Sequence, residues 1–319
     1  MEAEKYTVTP IPHLKSPISV NRVMLLVLIA LAPAGIKSVI FFGAQALLVM
    51  AASIISCMAF EALYQKITKQ EITVNDYSAA ITGLLLAFNV PVTTPLWMII
   101  VGSFVAIIVA KQLFGGLGQN FINPALAGRA FLMAAYMPHM AGGFTYPTTN
   151  LFGVDVIASA TPLALAADGF ITDPLTMLIG NHPGTIGETS AIALIIGGIF
   201  LIYKKVITWH VPVVYIGTVF VLTFIFTGNF DLTVFHLLAG GLMLAAFFMA
   251  TDYSSSPITP KGKIIMGLGC GFITVLIRLY GGYPEGASYA ILLMNLFVPL
   301  IDKYTKPRVF GTSKKKQGA

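Results

Sequence analysis

The chain has 319 residues, of which 56% are hydrophobic and only 10% are Asp, Glu, Lys or Arg, against about 25% charged in an ordinary soluble domain. That balance excludes a soluble globular domain and describes an all-α polytopic membrane protein. The formal charge of +6 is not a nucleic-acid signature, because the cations fall in short connections and tails, where orientation signals of membrane proteins lie.

Residues 1–21 are polar, read as a cytoplasmic arm, and lack the apolar centre of a signal peptide. After them the apolar runs predict about ten transmembrane helices at 22–36, 39–60, 77–91, 95–114, 122–137, 187–203, 207–226, 233–250, 262–280 and 286–301. Some are short, and Gly or Pro interrupts them, which is tolerated where neighbouring protein covers the backbone. Lys5, Lys15, Arg22, Lys66, Lys69, Lys204, Lys205, Lys261, Lys263 and the basic tail then fall on one side, the cytoplasm, with both termini. No Lys or Arg lies between Arg129 and Lys204, so the 138–186 connection is expected outside. Lys37 and Arg278 are exceptions near the outer side. Cys57 and Cys270 sit inside spans and read as buried structural thiols; two thiols cannot hold an iron–sulfur centre.

Two passages echo one another. TGLLLAFNVPVTTPLW followed by LFGGLGQNFINPALAGRAF matches AGGLMLAAFFMATDYSSSPITPKG followed by LYGGYPEGASYAILLMN in its order of Gly-rich helix, polar break, span, Gly-Gly turn and helix. The offset is five spans, an odd number, so two repeats of five, 22–137 and 187–301, are expected to insert in opposite orientation. Between them lies the 138–186 loop, and 302–319 form a basic tail.

Within that loop the stretch DVIASATPLA, Asp155 to Ala164, places a threonine before a proline, with Asp155 and Asp168 nearby and no cation. Pro162 keeps Thr161 extended and off a helix interior. Taken alone, Ala-Thr-Pro reads as an ordinary helix cap. The HPGTIGE turn at 182–188 offers backbone N–H groups to an anion, with Glu188 near a helix start. Asn120, Asn123 and Arg129 fall in QNFINPALAGR, and a membrane cation needs a partner or an aqueous face. Arg129 serves either a ligand or a structural ion pair. Asp252, Arg278 and Glu285 occupy comparable breaks in the second half, with Asp252 read as capping or packing the start of the ninth segment rather than binding a cation. His236 and Trp209 read as interface anchors. No strand-bounded GxGxxG marks an NAD site. The residues name no metal ligands.

GLGQNFINPALAGRAF (116–131), IASATPLA (157–164), HPGTIGETSAIALIIGG (182–198), FFMATDYSSSPITPKG (247–262) and GGYPEGASYAILLMN (281–295) together resemble the family of the Rnf ion-translocating oxidoreductase D subunits and the B subunits of sodium-pumping NADH:quinone oxidoreductase. The resemblance implies a ten-helix inverted-repeat bundle similar to the urea transporters. It implies FMN bound through a phosphodiester at Thr161, although Ala158-Ser159 replaces the usual Ser-Gly. It allows a second, non-covalent riboflavin at a site it does not fix, and Asn120, Asn123, Arg129 and Glu188 are expected beside Thr161 as cofactor-binding residues. The expected setting is the cell inner membrane, beside the A, B, C and E subunits of Rnf and the FMN-bearing G subunit, with electron flow coupled to Na⁺ or H⁺. The other readings are a solute channel with the same bundle and no flavin, and a structural scaffold. Flavin in the purified chain separates them.

Overall fold

The computed structural model describes residues 19–147, 159–167, 169–188, 190–281 and 285–307. Asp155, Ala158 and Asp168 lie outside the described residues, as do most of the N-terminal arm and the end of the tail. Every element of regular secondary structure among the described residues is helical.

The first element, α1, runs Val20–Ile67, with Ser19 capping its start. It holds two spans rather than one. Gly43 leaves the helical conformation at φ 65°. A Cβ on Gly35 would lie 3.9 Å from the Met50 sulfur. In a straight helix these residues are about 22 Å apart at 1.5 Å per residue, so the chain folds back at Gly43. The apolar runs predict this turn near residues 37–38. Gly43 wins because a turn between abutting helices needs a positive φ, which glycine adopts without strain.

The succeeding elements are α2 (Ser78–Phe88), α3 (Leu96–Phe104, continued by a π turn, Val105–Val109), α4 (Pro124–Ala135), α5 (Met137–Gly142), α6 (Pro162–Ala167) and α7 (Pro174–Ile179). Then come α8 (Ala191–Tyr203), α9 (His210–Thr227), α10 (Phe230–Leu238), α11 (Leu242–Leu244, continued by a π turn, Ala245–Met249), α12 (Pro260–Tyr280) and α13 (Ala287–Thr305). Four helical stretches, Val20–Ile67, Leu96–Phe114, His210–Thr227 and Pro260–Tyr280, are long and apolar enough to cross a membrane. Phe230–Leu238 and Leu242–Met249 are together long and apolar enough for a further span, but bend by 63° at a break, as a broken span or a re-entrant loop does.

The short helices matter most for function. α4 has 12 residues and rises about 18 Å, well short of a bilayer core. α2, with 11 residues, and α8, with 13, are equally short. Their ends fall inside the bundle, where backbone and side-chain polar groups find protein partners instead of water. Close helix approach makes room for this arrangement. A Cβ on Gly83 of α2 would sit 2.7 Å from the Ile54 Cα, and one on Gly197 of α8 would sit 2.1 Å from the Ala30 carbonyl. Small residues thus let α2 and α8 press their backbones onto α1.

Hydrogen bonds fix which connections share an end. Asn21 donates to Asn75 O (3.2 Å), Tyr253 to Val206 O, and Ile258 N to Asp302 Oδ1 (3.1 Å). The lysine-bearing connections therefore gather at one end, as the charge pattern predicts. Lys37 donates to Ile179 O, and Ser38 Oγ donates to Ile186 O at 2.6 Å. The fold-back of α1 thus lies at the other end, beside the cation-poor connection. Cys57 and Cys270 are free and fully buried.

Candidate functional site

The chain around Thr161 is built from an extended approach and a short helix. Ser159 N donates to Phe144 O (2.9 Å), and Pro162 then starts α6. The Thr161 hydroxyl accepts from Ala164 N at 3.3 Å, the geometry of a helix cap. One lone pair is used, and the side chain is partly exposed. It lines a cavity of about 260 Å³. Met133, Met137, Phe144 and Leu163 supply its apolar wall; Arg129 and Glu188 stand among its polar lining.

Arg129 projects from the middle of α4 and is 5% exposed. Its guanidinium reaches four acceptors: Asn89 Oδ1 (2.9 Å), Ser288 Oγ (2.6 Å) and both carboxylate oxygens of Glu285. The structural ion pair weighed for Arg129 is therefore present, and the same side chain also faces the cavity. Glu188 is 7% exposed; its Oε2 accepts from Thr185 N (3.3 Å) and Thr185 Oγ1 (3.2 Å).

The HPGTIGE turn does not have the anion-binding form expected of it. Thr185 N points to Glu188, Ile186 N to Val90 O (3.1 Å), Gly187 N to Phe88 O (2.9 Å) and Glu188 N to Thr185 O (3.1 Å). The Ile186 and Gly187 amides dock the turn onto the end of α2, and the other two close it on itself. Positive charge arrives instead from Arg278 on α12. Its Nε donates to Glu285 O (3.0 Å), Nη2 to Ala239 O (2.9 Å) and Gly240 O (3.0 Å), and Nη1 to His236 O. Gly240 lines the cavity, and a Cβ there would be wedged 2.2 Å from Leu163 Cδ1 and 2.9 Å from Arg278 Nη2. Arg278 thus stands directly behind the cavity wall.

Asn120 and Asn123 belong to a different cavity, of about 90 Å³, at the lysine-rich end. Asn123 caps α4 by accepting from Leu126 N (3.3 Å) and donates to Met249 O (3.2 Å). Asn120 donates to Ile122 O (3.0 Å). The five predicted residues thus divide, with Thr161, Arg129 and Glu188 at one cavity and Asn120 and Asn123 at the other. α4 joins the two cavities: from Asn123 to Arg129 the helix rises about 9 Å. Between them Asn89 bonds Arg129 and approaches the Met249 sulfur at 3.7 Å. The break containing Asn120 and the break containing Glu285 therefore open onto opposite cavities, as an inverted repeat requires.

Two expectations are corrected. Of the two roles read for Asp252, capping the ninth segment falls to Thr259, which accepts from Gly262 N at 3.0 Å. Asp252 Oδ2 accepts from Ser255 Oγ (2.8 Å), and the Thr251 hydroxyl donates to Phe247 O. His236 is buried at 7% exposure rather than placed at an interface. Trp209 is exposed and stacks on His210 at 4.3 Å.

A further cluster carries no motif in the sequence. Lys111 Nζ donates to Glu61 Oε1 (3.0 Å), Glu61 Oε2 (2.9 Å) and Ser78 Oγ (2.7 Å), while Gln112 Nε2 donates to Glu61 Oε1 (2.8 Å). The only signal is a lone charge in each of two apolar runs. Among the described residues, no group of three His, Cys, Asp or Glu side chains gathers to hold a metal ion.

The model of the NQR2, RnfD, RnfE family matches residues 7–311. The chain belongs to this family. It is 49% identical over 319 residues, covering 98% of both chains, to the D subunit of the Na⁺-translocating ferredoxin:NAD⁺ oxidoreductase complex of Acetobacterium woodii. It is 46% identical to the D subunit of the proton-translocating ferredoxin:NAD⁺ oxidoreductase complex of Clostridium ljungdahlii, covering 96% of each. The D subunit of the ion-translocating oxidoreductase complex of Yersinia pseudotuberculosis is 35% identical, over 92% of this chain and 95% of its own. In this family member the Arg129–Glu285 pair stands at the cavity that Thr161 lines.

Proposed function

We propose that this chain is an electron-transfer subunit of a membrane-bound, ion-translocating ferredoxin:NAD⁺ oxidoreductase complex, and that Thr161 carries FMN through a phosphoester. The observation that carries the reading is the convergence of Thr161, Arg129 and Glu188 on one cavity. The residues fit the group. About 260 Å³ lies just below the range of whole-ligand pockets, enough for a flat ring held from the rim. The apolar wall suits the ring faces, and Arg129 and Arg278 balance the Glu188 and Glu285 carboxylates there, so the phosphodiester meets no net negative charge. When bound, FMN supplies one- and two-electron carriage. The chain's own part is to tether, orient and keep water from the ring: Arg129 is locked by Glu285 and Asn89, and α6 holds Thr161 at the rim.

The resemblance allows a second, non-covalent riboflavin, but the cavity at Asn120 and Asn123, of about 90 Å³, is too small to hold it whole. Partners are the A, B, C, E and G subunits of Rnf, with the FMN-bearing G subunit as the electron partner. Exposed Phe170, Leu175 and Ile179 beside the Thr161 end give such a partner an apolar surface. The transported ion is Na⁺ or H⁺. The lysine-rich end faces the cytoplasm across the cell inner membrane, with both termini there. The channel reading is disfavoured by the bridge of Arg129, Asn89 and Met249 between the two cavities.

The test is direct. Protein made with its flavin transferase should gain roughly 438 Da at the Thr161 peptide, one FMN less one water. Thr161→Ala should lose that mass and the in-gel flavin fluorescence while the bundle stays assembled. An unmodified Thr161 peptide from the native host sinks the reading. Sidedness is read separately: a cysteine at Gly143 should react with an impermeant reagent in intact cells, and one at Thr305 should not.

A further inference from the structure

Arg278 stands behind the wall of the Thr161 cavity, yet it ties together groups that line it. The bent pair of α10 and α11 breaks at 239–241, where Gly240 and Gly241 take φ values of 66° and 57°. Such a break leaves carbonyls without helical partners, and inside a membrane protein each needs a donor. The Arg278 guanidinium donates to the carbonyls of His236, Ala239 and Gly240, and its Nε donates to the Glu285 carbonyl at 3.0 Å. One side chain on α12 thus joins the break to the residues that lead into α13. The Glu285 carboxylate is set from two further sides. Both of its oxygens accept from Arg129, and a Cβ on Gly241 would lie 3.1 Å from Glu285 Oε1. The bare backbone of Gly241 is what admits the carboxylate. Arg129 and Glu285 both line the cavity that Thr161 lines. Lysine cannot replace Arg278 here: it is a point charge with three donors, whereas the clamp uses the rigid fork of a guanidinium.

We propose that Arg278 is a positioning residue for the redox reaction: by clamping the 239–241 break and the Glu285 backbone, it holds the Glu285 carboxylate on Arg129 and so sets the reduction potential at the Thr161 cavity. The proposal rests on the reading that Thr161 carries FMN. An electron added to a site of low dielectric is favoured by a nearby positive charge and opposed by a negative one. With Glu285 clamped, the field of Arg129 is largely neutralised. The Glu285 side chain is 20% exposed, so once unclamped it has water to turn to. Arg129 would then face the cavity uncompensated, and reduction there would become easier.

The experiment uses the intact purified complex and titrates the flavin at Thr161 spectroelectrochemically, with the Thr161→Ala complex as the background to subtract. Arg278→Lys keeps the charge and removes the fork. It should still carry FMN on the Thr161 peptide by mass, and should favour reduction about tenfold, roughly 30 mV upward for a two-electron couple. Glu285→Gln should raise the potential at least as far. Arg278→Lys should add nothing in the Glu285→Gln background, because the carboxylate it positions is gone. A wild-type potential in Arg278→Lys, even with a lowered unfolding temperature, leaves only a structural tie and overturns the proposal; so do additive shifts in the double variant. If Arg278→Lys does not assemble, Gly241→Ala displaces the same carboxylate with Arg278 in place, and an unchanged potential there overturns the proposal. A second cycle needs no flavin. In the Thr161→Ala protein, the losses of unfolding temperature from Arg278→Lys and Glu285→Gln should sum to more than the double variant loses, and strict additivity overturns the positioning of Glu285. Absence of FMN from the wild-type Thr161 peptide overturns the function reading and the role in potential, while this second cycle still decides whether Arg278 places Glu285.

Discussion

Lys111 and Arg129 are two buried cations in one apolar bundle, and their surroundings differ in a telling way. The Lys111–Glu61 pair is closed, with side chains 2% and 1% exposed. The Arg129–Glu285 pair is open on one side: Arg129 is 6% exposed, but Glu285 is 20%. Lys111 spends its three N–H groups on Glu61 and Ser78, whereas Arg129 faces a cavity large enough to admit part of a ligand. A closed pair stores its cost in the fold; an open pair lets an incoming anion share its field. The difference predicts unequal responses to losing the carboxylate. Glu61→Gln leaves an uncompensated ammonium in a dry site and should cost about 3–5 kcal/mol. Glu285→Gln should cost less, about 1–3 kcal/mol, because Asn89 and Ser288 still hold Arg129. Thermal unfolding in detergent measures both, and a larger loss for Glu285→Gln breaks the comparison. The Glu61→Leu/Lys111→Met double variant should recover most of the first loss.

That comparison is only half legible in the sequence. Arg129 stands out because it sits in a polar break whose neighbours carry chemistry. Lys111 and Glu61 do not, because each is a single charge in an apolar run and their partnership spans 50 residues. Only the packing of α2 and α3 onto α1 brings them together. The helical class, the gathering of lysines at one end and the special place of Thr161 follow from composition, charge spacing and motif. The fold-back of α1 follows too, but not its place: the polar Lys37-Ser38 marks the break, whereas the turn falls at Gly43, further along an apolar run. Nor do the spent amides of the HPGTIGE turn: a Gly-rich turn advertises free N–H groups, but α2 ends against it and takes two of them.

Two glycines sharpen the contrast between packed and open ends. Gly240, at φ 66°, would place a Cβ between Leu163 and Arg278. Gly118, at φ 87°, would place one in open space. Both alanine variants carry backbone strain, of the order of 1 kcal/mol. Gly240→Ala adds a clash and should total about 2–3 kcal/mol. Equal unfolding temperatures for the two variants would show that the cavity wall yields. Asn123→Ala should fall below Gly240→Ala. It removes the α4 cap and its tie to Met249, at a cost of about 1 kcal/mol, measured the same way.

The smallest effect concerns Asp252, in the connection between the π turn of α11 and the start of α12. Burial pushes its carboxyl above the usual carboxylate range, and hydrogen bonds from Ser255 and Asn120 offset only part of that push. The sign follows from linkage. A carboxyl whose folded value is raised binds its proton more tightly in the folded chain than in the unfolded one. Its contribution to stability is therefore present below the ordinary carboxylate range and lost as pH rises through the raised value. Asp252→Asn removes the titration and keeps the shape, so its unfolding temperature should change less than that of the parent protein over the same rise in pH. The two should agree most closely at the acid end, where Asp252 is protonated in both states. Asn120 shares this connection's cavity, so Asn120→Ala should steepen the pH slope by removing a bond that favours the charged carboxylate. Parallel curves for the parent and Asp252→Asn would mean that water reaches the carboxylate freely, and the cavity at Asn120 would then be as open as the one at Thr161.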